Sequence, residues 1–124
     1  MIQKIFLEKN YAIFVAIVLS GLVIQAHASS FTVGDSSGWT FGVAGWENGK
    51  SFKAGDTLVF KYGPSSHNVV AVDKSSYDSC TVPPNAKTYN SGNDKINLIS
   101  GPNYFICGFP GHCQSGMKIA ATAA

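Results

Sequence analysis

A thiol, an imidazole and a thioether stand at even spacing in Cys107-Gly-Phe-Pro-Gly-His112-Cys113-Gln-Ser-Gly-Met117. Thiolate and thioether are soft ligands that favour copper, and imidazole suits copper as well. Two imidazoles and one thiolate in a trigonal plane, with a weak axial Met, form the ligand set of a blue-copper electron-transfer centre. The second imidazole is best supplied by His67, in Ser66-His67-Asn68-Val69-Val70. Gly108, Pro110, Gly111 and Gly116 suit such a loop, because glycine permits otherwise unfavourable backbone angles and proline stiffens a turn.

Other readings of these residues compete. A disulfide cysteine, a surface histidine and a core methionine could share this spacing by chance. A structural zinc site from His67, Cys107, His112 and Cys113 would need both members of an adjacent pair and lacks two cysteines a few residues apart. A Cys–His nucleophile built on Cys107 would leave Met117 unexplained. A metal-independent binding or signalling module of the cell wall could dispense with all four side chains, yet all four are present.

Short strands must position them. Phe31–Val33 reads as a first strand, followed by a turn over Gly34–Gly38. Trp39, Phe41 and Trp46 are expected to pack at the edge of a core. Asn48-Gly49 is a turn signal. Thr57–Tyr62 is rich in β-branched and aromatic residues, and after the turn at Gly63–Ser66 a strand His67–Val72 is expected, with His67 opening it. Residues 73–93 look irregular, with room for a short helix only. Lys95–Ile99 alternates like a half-buried strand. Asn103–Cys107 carries Cys107 to a strand end, and Met117–Thr122 closes the series. Short strands with frequent turn signals predict an all-β sandwich or barrel.

The 124 residues suit a single domain preceded by a leader. Lys4 and Lys9 flank a polar start, Tyr11–Ile24 is an almost unbroken apolar run, and Ala26-His27-Ala28 offers a small-x-small cleavage site. That is the layout of a secretory signal peptide over residues 1–28, leaving residues 29–124 as the domain. His27 belongs to the leader and is not a candidate ligand. The net charge is +2, and +1 without Lys4, Lys9 and Glu8, with no arginine anywhere. Nucleic-acid binding calls for a concentrated basic surface and is not expected. No sequon is present, and no stalk or second apolar tail follows Met117, so neither N-glycosylation nor a C-terminal lipid anchor is expected.

Three cysteines in an oxidising compartment leave one thiol over. If Cys107 binds metal, Cys80 and Cys113 remain to form a bridge; the rival pairing of Cys107 with Cys113 would strand Cys80.

Gly55-Asp56, His67-Asn68-Val-Val and Tyr-Phe-Ile-Cys107 through Met117-Lys-Ile together resemble the phytocyanins, plant blue copper proteins, over about Phe31 to Ala120. Met117 and the lack of a stalk point to the plantacyanin (basic blue protein) branch, since the stellacyanin branch has Gln at the axial position. The resemblance implies a cupredoxin-like Greek-key β-sandwich with one or two short helical turns. It implies one type 1 copper held by His67, Cys107, His112 and Met117, and a Cys80–Cys113 disulfide. It also implies a monomeric carrier of single electrons, not an enzyme, secreted to the plant apoplast or cell wall without a membrane anchor. Its redox donor and acceptor are not named by any residue; the alternative is a cell-wall or matrix binding and signalling role. Asn68 is a candidate to tie the two ligand segments together, through its side chain or through its backbone N–H to the Cys107 sulfur. His112 is the expected electron port, rimmed by Phe109 and Pro110. The small net charge is low for a branch named for basicity.

Overall fold

The structure, a computed structural model, describes residues 27–124. The leader expected over residues 1–28 lies outside the described residues, except for His27 and Ala28. Seven strands form two sheets: β1 (Ser30–Thr32), β2 (Thr57–Lys61) and β5 (Asn93–Asn97) in one, in the order β1-β2-β5. β3 (Val69–Val72), β4 (Lys87–Tyr89), β6 (Gly101–Ile106) and β7 (Lys118–Ala123) form the other, in the order β4-β3-β6-β7. The β1–β2 pair is parallel, and the remaining pairs are antiparallel. The chain changes sheet between β2 and β3, β4 and β5, and β5 and β6, so each sheet mixes early and late strands. A 3-10 turn at Asp35–Ser37 and one short helix, α1 (Lys74–Ser79), complete the architecture. Among the described residues no helix is long and apolar enough to cross a membrane.

The core fills the space between the sheets with Val33, Trp39, Leu58, Phe60, Val69, Phe105 and Ile119, all buried. β7 shows how the pattern produces this: Ile119, Ala121 and Ala123 point inward at every second position, while Thr122 faces solvent. Trp39 packs edge-on against Phe60, with ring centroids 5.0 Å apart. Aromatic pairs of this kind add about 0.5–1.5 kcal/mol beyond the area they bury.

Several boundaries differ from the sequence expectation; β6, for one, begins at Gly101, two residues before Asn103. β3 begins at Val69, and His67 sits in the preceding turn, where its N–H donates to the Gly63 carbonyl. β4 was not anticipated: it is three residues long, pairs with β3 alone, and is too short to show alternation. β5 starts at Asn93, two residues early, because the inward position at 94 is an aspartate. Its carboxylate is satisfied by the Tyr62 hydroxyl and by the amide and hydroxyl of Ser91. A polar residue breaks the apolar alternation in sequence but not in structure.

Helix α1 starts at an Asp73 cap, whose Oδ1 accepts from the Ser76 N–H at 2.9 Å, and ends at Cys80 in a left-handed conformation. The helix thereby delivers Cys80 to Cys113, and the two form a disulfide across a sequence separation of 33. Closing a loop of that size stabilises the fold by about 3–4 kcal/mol in the chain-entropy model.

Burial, and then the bond to Asp94, push the Tyr62 hydroxyl up from 10.0 to about 12. Since the folded state keeps that proton longer than the unfolded chain, Tyr62 stabilises the fold fully below pH 10. The contribution is lost as the pH rises towards 12. Urea midpoints measured between pH 9 and 12 should fall more steeply in the wild type than in Tyr62→Phe; parallel slopes would contradict this assignment.

Candidate metal centre

Two tight segments bring the chemistry to one end of the sandwich. In the first, the Ser66 and His67 N–H groups both donate to the Gly63 carbonyl, which curls the chain just before β3 and presents the His67 ring. The second runs from the end of β6 to the start of β7 as consecutive turns. His112 N–H donates to Phe109, Gly116 N–H to Cys113, and Ser115 N–H to Gly111 and His112. Gly111 and Gly116 have φ of 80° and 85°, conformations that L side chains rarely adopt. A Cβ on Gly116 would also lie 3.2 Å from the Gly42 Cα, so glycine is required there twice over.

Backbone bonds set the relative position of the three loop residues. Cys107 N–H donates to the Met117 carbonyl at 3.0 Å, and Met117 N–H donates to the His112 carbonyl at 3.1 Å. The ends of the loop are thus stitched together beneath the His112 ring. Cys107 and Met117 are buried, and both imidazoles are half-buried. Cys107 is the free thiol, because the other two cysteines form the disulfide.

His67 Nδ1 and His112 Nδ1 face each other at 3.0 Å, and the Cys107 sulfur lies 4.0 Å from the first and 3.6 Å from the second. Imidazole and thiolate bind a first-row divalent ion at about 2.0–2.3 Å, so donors around a shared ion stand about 3–4 Å apart. The three donor atoms fit a single metal ion. Burial, and then the facing His112 ring, hold the His67 imidazole below the ordinary histidine range. A histidine that stays neutral keeps a lone pair for a metal.

Asn68 ties the segments through its side chain: Oδ1 accepts from the Gly108 N–H at 2.6 Å, next to Cys107. Its carbonyl accepts from the indole N–H of Trp39 at 2.8 Å, which anchors the His67 turn to the core. Gly108 has to be small. A Cβ there would lie 3.0 Å from Val70 Cγ2, 3.2 Å from Asn68 Oδ1 and 3.3 Å from Val82 Cγ2.

Phe41 corrects the sequence reading. It does not pack at the edge of the core but stands 49 % exposed over both imidazoles, with ring centroids 5.3 Å from His67 and 4.6 Å from His112. The Gly42 and Ala44 N–H groups donate to the Ser115 and Gly116 carbonyls and strap this segment onto the ligand loop. Phe109 packs on the other side of His112 at 5.6 Å, and Pro110 is exposed beside it. No spacing in the sequence marks Phe41, since its position depends on those cross-chain bonds.

Replacing Asn68 by Ala leaves the Gly108 N–H without its partner, at a cost of about 1–3 kcal/mol. Hydrogen exchange at the Gly108 amide should quicken markedly relative to the β7 amides. Unchanged protection would show that the bond does not hold the loop.

The family profile described as Plastocyanin-like domain matches residues 39–117. The chain is 53 % identical over 116 residues to "Chemocyanin" of Lilium longiflorum, an alignment covering 91 % of this chain and 92 % of that one. Among solved structures, "Cucumber basic protein, a blue copper protein" superposes with a TM-score of 0.76 at 55 % identity. It covers 77 % of this chain and 99 % of that one. "Spinach plantacyanin" gives 0.66 at 60 % identity, covering 70 % and 94 %. The chain belongs to the phytocyanin family, in its basic blue protein or plantacyanin branch.

Proposed function

We propose that residues 29–124 form a secreted, extracellular type 1 copper domain that carries single electrons, with His67, Cys107, His112 and Met117 as the ligands. The observation that carries this reading is the convergence of the His67, Cys107 and His112 donor atoms within 4.8 Å of one another. Copper, when bound, supplies a reversible one-electron couple between Cu(II) and Cu(I).

The protein's own residues do the rest. Cys107 offers a sulfur sheltered from solvent, and the two imidazoles offer their Nδ1 atoms beside it. Met117, buried and joined by backbone bonds to both Cys107 and His112, contributes a weak soft thioether that tunes the potential. Asn68 orients the Cys107 loop against the His67 turn, as outer partners of metal ligands do. Because these ties are made by the protein itself, little has to move when one electron is gained or lost. Phe41, Phe109 and Pro110 surround the His112 ring with apolar surface, which keeps water from ordering there and suits a brief encounter with a redox partner. The chemistry is that of a carrier, not an enzyme.

Adding one equivalent of Cu(II) to the disulfide-intact domain should produce an intense thiolate-to-copper band in the visible spectrum. Ascorbate should bleach it, and Cys107→Ser should lack it. A colourless protein whose Cys107 is a free thiol would defeat the proposal. Met117→Gln would offer the copper a harder amide oxygen in place of a soft thioether, which favours Cu(II), so the reduction potential should fall while the colour persists. A potential unchanged from the wild type in voltammetry would remove Met117 from the ligand set.

A further inference from the structure

Asp56 is 3 % exposed, and each of its carboxylate oxygens is held by one backbone donor. Oδ1 accepts from the Ser29 nitrogen at 2.9 Å, and Oδ2 from the Lys53 nitrogen at 2.8 Å. Its own backbone is held from two sides: Asp56 N–H donates to the Lys53 carbonyl, and Leu98 N–H donates to the Asp56 carbonyl at 2.7 Å. The carboxylate therefore cannot swing away. On its other side Ser29 is equally fixed, because its carbonyl accepts from Thr57 N–H at 2.8 Å, one residue before the β1–β2 register begins at Ser30 and Thr57. His27, Ala28 and Ser29 are all exposed and precede the first strand.

We propose that the chain is cut at the exposed Ala28–Ser29 bond and that Asp56 is a built receptor for the α-ammonium group released there. The proposal rests on the reading of residues 1–28 as a leader and goes beyond it by assigning the receptor. In the cut, a leader peptidase adds the hydroxyl of water to the Ala28 carbonyl carbon and a proton to the Ser29 nitrogen. At neutral pH the new carboxyl group loses its proton and the amine carries one. The nitrogen that donates as a neutral amide thereby becomes a cation at the same place, and a charge-assisted bond is about twice as strong as a neutral one.

Only this cut sets a cation on Asp56 Oδ1 and keeps the Ser29–Thr57 bond. One residue later, the Ser29 carbonyl and the donor to Oδ1 would both be lost. One residue earlier, Asp56 would face an uncharged amide. Among the described residues the Lys53 ammonium also acts on Asp56, while Thr57 and Leu98, from the flanking segments, carry no charge. The Ser29 and Lys53 amides also keep the carboxyl below its usual range, so it is ionised when the amine arrives.

The test is to express the full chain in plant cells, recover the exported protein and read its first residue by mass spectrometry. The α-amine is then titrated by NMR after ¹³C-methylation. Ser29 should be the first residue, and its amine should titrate clearly above the ordinary range of about 7.7–8.0. In Asp56→Asn it should return to that range. An uncut chain would overturn both the leader reading and this one. A different first residue, or Ser29 with an ordinary titration in the wild type, would overturn the receptor while leaving secretion standing. The wild-type titration decides the matter even where Asp56→Asn does not accumulate.

Discussion

Three electron-rich atoms held within 4.8 Å of one another repel unless a cation or a shared proton lies among them. For both His67 and His112 to face a metal through Nδ1, their protons must sit on Nε2, leaving two lone pairs 3.0 Å apart beside a sulfur. No side chain chooses that arrangement by itself. It persists only where the backbone is determined by other contacts, and most of the local structure at this end of the sandwich supplies such contacts.

Those contacts come from both sheets and both ligand segments. The Cys107–Met117 and Met117–His112 backbone bonds close the loop, and the Cys80–Cys113 disulfide fastens it from outside through α1. Trp39 reaches from the core to the Asn68 carbonyl, and the Asn68 side chain reaches on to Gly108. One continuous chain of contacts thus runs from the Phe60–Trp39 pair to the residue beside the thiol. The stability of the sandwich and the geometry of the site are the same property seen at two places.

Much of this was legible in the residues alone. Soft ligands at even spacing, among glycines whose positive φ values the loop needs, are local signals and survive without a structure. So does alternation in β7, and so does the shortness of the helix after Asp73. What was hidden is what depends on distant partners. Asp94 looks like a strand breaker until Tyr62 and Ser91 are seen to satisfy it. β4 exists because β3 offers it an edge. His67 falls before its strand because Gly63 captures its N–H. Phe41 is one aromatic among several until the bonds from Gly42 and Ala44 lay it across the imidazoles.

The protein, and not the metal, fixes the donor positions. The most direct measurement is a high-resolution crystal structure of the metal-free protein, compared with Cu(II)-loaded protein in the same crystal form. The His67, Cys107 and His112 donor atoms should move by no more than a few tenths of an ångström. An imidazole turned away from Cys107 in the metal-free form, with the Asn68–Gly108 bond intact, would show that the metal builds the site and would contradict this expectation.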